Sequence, residues 1–479
     1  MADIYAISHV PPEVSAYGMA KYSRSNASLR DSLLELSQEK AARFLNTFYF
    51  AYGHASIADL AHIALAVEDL SLLAAMDVVN EPLWDGQERS TRYQDFSSRR
   101  YYTPAEAGPA FHARIAALYD LYDRLSEAAE RWLNARFPAP PTMAPEAYRR
   151  TLKARAFDVA RYALPLATLT SLGQITSARV LERQISRLLT SPWAEVREIA
   201  QGMKRAVTEA APFHLAAEQA KRRGDPVPPD ADAPVAPTLI KHAAPDAYRA
   251  ARRAALAAVV RELFAGASPA EPAVQVFLPQ DPLEDLAAGL LYEHAHLSYG
   301  AIVERLRALG PKLRDEILNE ALALRGPHDA WPEAMRQRPL VVDTVIDLGA
   351  FRDLNRHRRL DKVVQDLDVC LGFEVPPEMD EMGLGDPVRS ALAGYYAQLE
   401  DEPAALVGYL LPLAHRRRAL FRLDWPQAAY LIELRSRSSG HFSYRRWANA
   451  LYRALAERYP ALARHIRVTP LEAYNPFER

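Results

Sequence analysis

The stretch from Leu340 to Arg359, LVVDTVIDLGAFRDLNRHRR, holds two structural signals in succession. Leucine, valine and isoleucine dominate Leu340 to Ile346, the composition of a strand, because β-branched side chains pack well on a pleated surface. Asp347 then offers a side-chain acceptor to the free backbone donors of a helix start, and the helix reaches Arg356-His357-Arg358. A basic cluster is also what the negative end of a helix dipole favours, so the triplet taken alone reads first as a solvated face.

Working outward, the first half of the chain repeats the order of events. Gly53-His54-Ala55-Ser56 precedes a strand-like His62 to Val67, Ser71 opens an apolar helical run to Val79, and the run stops at Asn80-Glu81-Pro82. Leu164-Pro165-Leu166 and Leu411-Pro412-Leu413 each interrupt a helical stretch, since proline lacks the backbone donor and clashes with the preceding turn. Each is expected to lead into an arginine-bearing helix. Between them, GDPVPPDADAPVAP over 224–237 has no apolar period and reads as a stiff exposed linker. The expected organisation is two tandem repeats, 1–223 and 238–479, joined by that linker. Ala-, Leu-, Arg- and Glu-rich segments such as Ala243 to Phe264 and Arg445 to Glu457 predict helices. The fold class expected is α+β with an excess of helix.

The chain has 479 residues, 49% of them hydrophobic and 25% charged, a globular balance with enough length for more than one core. With 58 basic against 60 acidic residues the net charge is −2, so no overall field draws a polyanion, and any bound anion needs local arginines. Cys370 is the sole cysteine, which excludes an internal disulfide and a cysteine metal cluster; its Val369-Cys370-Leu371 setting reads as a small core hydrophobe. No metal is expected. The first residues lack a basic segment leading into an apolar one, and no window approaches the roughly 18 apolar residues of a membrane span, so a cytoplasmic location is expected. Arg416-Arg417-Arg418 and Arg445-Arg446 have aromatic neighbours, as a nucleic-acid surface would, but read better as solvated faces of amphipathic helices.

The order strand, short helix, Arg356-His357-Arg358, with His328-Asp329 upstream and Leu411-Pro412-Leu413 downstream, resembles the flavin-dependent thymidylate synthases. The resemblance implies that Arg356, His357 and Arg358 contact FAD. Where the family has a serine after the triplet, this chain has Asp366. In the first half Glu88-Arg89-Ser90-Thr91-Arg92-Tyr93 is similar to the family's nucleotide loop, which gives Glu88, Ser90 and Arg92 a substrate-binding role. A polar surface loop is the plain alternative. Arg161, before Leu164-Pro165-Leu166, falls at the place of the family's phosphate-binding arginine. Ser177-Ala178-Arg179 falls where an arginine touches flavin, and Arg187 where an arginine holds the uracil carbonyl and so serves catalysis. Lys21-Tyr22-Ser23-Arg24 resembles a segment reaching the flavin phosphates, and His54 with Ser56 another flavin contact.

The second half keeps Arg435 at the uracil-arginine place but has Gly408, Asp424 and Pro426 where the family has functional side chains, and Val364, Asp366 and Asp368 where the first half has Glu88, Ser90 and Arg92. The losses in the halves are complementary. The resemblance thus implies a pseudo-dimer of two repeats with a composite site, its triplet from the second repeat and its nucleotide pocket from the first. It further implies conversion of dUMP to dTMP with methylenetetrahydrofolate, FAD and NADPH, needing no protein nucleophile, and a homodimer of the fused chain equivalent to a tetramer. Two other classes fit the altered positions: a binding protein that has lost its chemistry, and an enzyme acting on another uracil-containing substrate.

Overall fold

In a computed structural model, the described residues are 10–22, 38–46, 55–251, 274–277, 282–295, 303–323 and 340–477, less scattered positions within these ranges, together with 331 and 335. Ser23, His54 and Arg358, with the side chain of Ser56, fall outside them, as do Arg24, His328-Asp329 and Asp368.

In chain order, the elements that matter for the site begin with β1 (His62–Ser71), α1 (Leu72–Val79) and β2 (Asp85–Glu88). Helices α2 (Pro109–Arg136) and α3 (Pro145–Ala160) follow, then β3 (Leu169–Ser177), α4 (Ala178–Leu188) and α5 (Ala194–Thr208). After β4 (Val274–Phe277) come β5 (Leu340–Asp347), α6 (Leu348–Asn355), β6 (Asp361–Val364), α7 (Gly385–Ala397) and α8 (Ala404–Leu410). The chain closes with β7 (Arg416–Leu423), α9 (Trp425–Arg435) and α10 (Phe442–Arg458). The mixture of helices and small antiparallel sheets agrees with the α+β class.

These elements form two compact units that interleave along the chain: Met1–Arg89 with Leu169–Ala267, and Ser90–Thr168 with Ser268–Arg479. The Pro-rich stretch 224–237 is therefore not where the packing units divide. Nor is it exposed throughout, since Ala236 is fully buried and its N–H donates to Val207 O at 2.8 Å; unit membership is decided by which apolar faces meet, and α2 and α3 pack in the second unit.

The first unit is built on a sheet of order β1-β3-β2, antiparallel throughout. Ser71 caps α1 by accepting from the Ala74 N–H at 3.0 Å, and Glu195 of α5 holds the cap by accepting from Ser71 N (2.8 Å) and Oγ (2.6 Å). Ser177 caps α4 in the same way, accepting from Val180 N. The second unit contains a sheet of order β4-β5-β7-β6. Along β5, Leu340, Val342, Thr344 and Ile346 face the core, the period-2 alternation of a half-covered sheet. Asp347 caps α6 through Ala350 N at 2.8 Å, and Asp424 caps α9 through Gln427 N at 2.7 Å.

Leu164-Pro165-Leu166 and Leu411-Pro412-Leu413 do end helical stretches, but each is followed by a strand, β3 or β7, before the arginine-bearing helix. Both segments lie in the second unit, where they pair: Leu166 N donates to Leu411 O and Leu413 N to Leu164 O, each at 2.9 Å, across a Pro165–Pro412 bridge. Ala167 N to Tyr409 O (3.0 Å) and Ala414 N to Tyr162 O (3.1 Å) continue the reciprocity.

Three expectations are corrected. Arg416, Arg417 and Arg418 lie on strand β7, not on an amphipathic helix: Arg418 pairs with Asp343, Arg416 Nε donates to Leu371 O, and Arg417 stacks over Phe351. On α10, Arg445 is 2% exposed and donates to main-chain carbonyls, while Arg446 bridges Glu374 and Glu378. Neither set is a solvated basic face. Cys370 is exposed, because it sits on a short turn whose only buried residue is Leu371. The helix expected from Ala243 begins no earlier than 247, and most of its length lies outside the described residues.

Candidate functional site: a buried arginine cluster

The second unit gathers arginines from distant parts of the sequence around two aspartates. Thr91 and Arg92 come from the loop after β2, Asp158 from α3 and Arg161 from the turn that follows it. Helix α6 contributes Arg352 and Asp353, with Arg356 and His357 just past its end; α9 contributes Arg435 and α10 Tyr444.

Arg92 lies against Asp158 in a two-pronged ion pair, Nε to Oδ1 at 2.6 Å and Nη2 to Oδ2 at 2.8 Å, while Nη1 donates to the Tyr444 hydroxyl at 2.8 Å. Burial opposes its charge, but Asp158 outweighs that and raises Arg92 well above the ordinary arginine value. The Tyr444 ring centroid lies 5.6 Å from the Arg92 guanidinium carbon and 5.1 Å from that of Arg435, so one aromatic ring steadies two cations. Thr91 Oγ1 accepts from both Arg161 Nη1 (3.3 Å) and Arg352 Nη1 (3.1 Å). Asp353 Oδ1 accepts from Arg356 Nη2 at 2.6 Å, and its Oδ2 lies 3.6 Å from Arg161 Nη2. Burial alone would raise Asp353, but Arg161, Arg356, Arg435 and Arg92 hold it well below the usual carboxylate range.

His357 accepts at Nε2 from Arg435 Nη2 (2.7 Å) and Nε (3.2 Å). Burial, then the charges of Arg435 and Arg356, push its pKa down to about 3, so the ring is neutral at physiological pH. With Nε2 accepting, the ring proton is placed on Nδ1. His357 meets the exposed Tyr430 edge to face at 6.1 Å. The arrangement can neutralise an anion or polarise a carbonyl with permanently charged donors, and it offers one neutral imidazole N–H.

Of the side chains singled out in the sequence, Arg92, Arg161, Arg356, His357 and Arg435 thus meet in one cluster, with Ser90 nearby, its Oγ accepting from Arg92 N at 3.1 Å. Glu88, Arg179 and Arg187 belong to the first unit. There Glu88 is buried on β2, Arg179 is half exposed and paired with Asp59, and Arg187 donates to Asp77 O at 2.9 Å with Glu81 3.9 Å away. Sequence reading missed Thr91, Asp158, Arg352, Asp353 and Tyr444. Arg352 and Asp353 carried a usable signal, standing four and three residues before Arg356 and so on its face of the helix.

Residues 6–213 match the family model described as Thymidylate synthase complementing protein. The match is confined to this part of the chain, which is similar to that family. Proteins similar to the whole chain are the UPF0159 protein of Chlamydia muridarum, 27% identical over 96% of this chain and 90% of the relative, and UPF0159 protein Ta1429 of Thermoplasma acidophilum, 24% identical over 93% of each. Among solved structures, the flavin dependent thymidylate synthase ThyX from Helicobacter pylori complexed with FAD and dUMP aligns at TM-score 0.28 and 16% identity, covering 41% of this chain and 89% of that one. A UMP/dUMP methylase PolB from Streptomyces cacaoi aligns at TM-score 0.28 and 15% identity, covering 40% and 84%. The matched region includes Thr91, Arg92, Asp158 and Arg161, and the cluster's remaining residues come from the chain beyond it.

Proposed function

We propose that this chain carries out flavin-dependent methylation of a uracil nucleotide, converting dUMP to dTMP at a composite site. The observation that carries the reading is the meeting of Arg92 and Arg161 with Arg356, His357 and Arg435 in one unit. It joins the nucleotide-binding half of the motif set to the triplet half. Arg161 suits a nucleotide phosphate, since its Nε and Nη2 are buried without a hydrogen bond. Arg356, neutral His357 and exposed Tyr430 form a donor set with an aromatic face, which fits FAD. FAD when bound would supply the redox chemistry; Arg435, Arg356 and His357 would orient the uracil ring and hold charge developing on it.

The overall change would be dUMP, methylenetetrahydrofolate, NADPH and a proton giving dTMP, tetrahydrofolate and NADP+. Internal duplication is supported by the matching strand orders β1-β3-β2 and β5-β7-β6, by caps at corresponding strand-to-helix junctions, and by the reciprocal Pro165–Pro412 pairing. On this reading Arg187 and Arg179 are remnants of the partner site, the repeats divide near 224–237, and two fused chains associate as a pseudo-tetramer in the cytoplasm. A second reading, action on another uracil compound, is favoured by the Asp353 carboxylate standing among the arginines.

The test is visible absorption of the purified chain loaded with FAD, reduced anaerobically by NADPH, then given dUMP and methylenetetrahydrofolate. Flavin reoxidation that needs both substrates, with dTMP formed, is the expected result. FAD binding with reoxidation only by another uracil compound would favour the second reading, and failure to bind FAD would sink both.

A further inference from the structure

The arginine cluster already contains an anion of its own. Asp353 is 6% exposed, and its Oδ1 is satisfied by Arg356 at 2.6 Å. Its Oδ2 faces Arg161 Nη2 at 3.6 Å, too far for a hydrogen bond, and neither atom has another partner. Arg161 is 2% exposed and spends one nitrogen on Thr91, leaving Nε and Nη2 unused. Buried guanidinium donors left idle beside a carboxylate mark a place suited to a better-fitting acceptor.

We propose that Asp353 is an internal competitor for the anion this cluster binds: a phosphate reaches the idle donors of Arg161 only by displacing the Asp353 carboxylate from beside them, so Asp353 sets the preference for phosphorylated over unphosphorylated ligands. Asp158 cannot play this part, because both of its oxygens are held by Arg92. Nor does acid relieve the competition near neutrality, since the surrounding arginines keep Asp353 ionised. The competition weakens phosphate without abolishing it, because the arginines of the cluster, Arg92, Arg155, Arg161, Arg352, Arg356 and Arg435, outnumber Asp158 and Asp353. That the phosphate belongs to a uracil nucleotide rests on the function proposed above; the competition itself does not.

The experiment uses the full chain and its Asp353→Asn variant, which keeps shape and removes charge. Inorganic phosphate, dUMP and deoxyuridine are titrated by calorimetry. One additional charge-assisted hydrogen bond to the ligand corresponds to about tenfold or more in affinity. Phosphate and dUMP are expected to bind at least about tenfold more tightly to the variant, with deoxyuridine changed by less than about twofold. The Asp353→Asn, Arg161→Gln double variant should lose that improvement. Equal phosphate affinity in wild type and variant, or an equal improvement for deoxyuridine, overturns the proposal. If Asp353→Asn does not fold, Asp353→Gln takes its place, and thermal shift with phosphate gives the same comparison. A chain showing the phosphate improvement but binding neither uracil ligand would refute the uracil reading and leave the competitor standing.

Discussion

Pro165 and Pro412 lie opposite one another in an antiparallel bridge, and the residue after each proline donates to the carbonyl of the residue before the other, at 2.9 Å in both directions. Proline has no N–H to give, so its neighbours supply the bonds. Leu166 and Leu413 are wholly buried beside the bridge. Leu166→Ala and Leu413→Ala should each destabilise the protein by about 2–5 kcal/mol in urea unfolding. The double variant should depart from additivity by about 0.5 kcal/mol or more, since both side chains flank one seam. Additive effects would mean the seam does not couple them.

Arg92 and Asp158 are expected to stand or fall together. Arg92→Met leaves the Asp158 carboxylate buried with Arg155 as its remaining ion-pair partner, at 3.6 Å, and should cost about 3–5 kcal/mol. Adding Asp158→Leu should recover a large part of that loss in the same unfolding measurement. No recovery would show that Arg92 matters for its other contacts, above all Tyr444.

The neutral state of His357 gives a pH signature. An unfolded histidine titrates near 6.5, whereas burial and its arginine neighbours bring folded His357 to about 3. Between those values the unfolded chain binds a proton that the folded chain does not, so stability falls as pH falls from about 6.5 toward 3. His357→Gln should flatten the stability profile in that window by up to about 1.4 kcal/mol per pH unit. His441, also lowered by burial and by Arg161 and Arg92, remains in both proteins and cancels from the comparison. Identical slopes would mean His357 titrates normally.

Ligand binding should separate along the cluster. Arg356→Ala is expected to weaken FAD binding, while Ser90→Ala and Arg161→Ala weaken dUMP and spare FAD, read by flavin fluorescence and by calorimetry. Arg161→Ala should have the larger effect, about tenfold or more, because it removes a buried charged donor where Ser90→Ala removes a hydroxyl that accepts from Arg92 N. Parallel loss of both ligands in every variant would sink the division.

The strand and helix around Leu340–Asn355 were legible because period, cap and basic terminus agree over a short stretch. So was the run through Ser71, whose cap forms as read. Strands β3 and β7 were not: LTSLGQITS has polar residues and a glycine, and RRRALFRL opens on three arginines, so only pairing with β1 or β5 makes strands of them. The family motifs pointed to Arg92, Arg161, Arg356, His357 and Arg435. Asp158 and Asp353 stayed invisible because a carboxylate takes on meaning here only from arginines that are distant in sequence.

The interleaving of the two units also constrains how this polypeptide can be divided or inherited. Residues 90–168 complete a unit whose other members begin at Ser268, so a gene cut at the Pro-rich stretch would part them from Arg352, Asp353 and Arg435. Each fragment would carry an unfinished core.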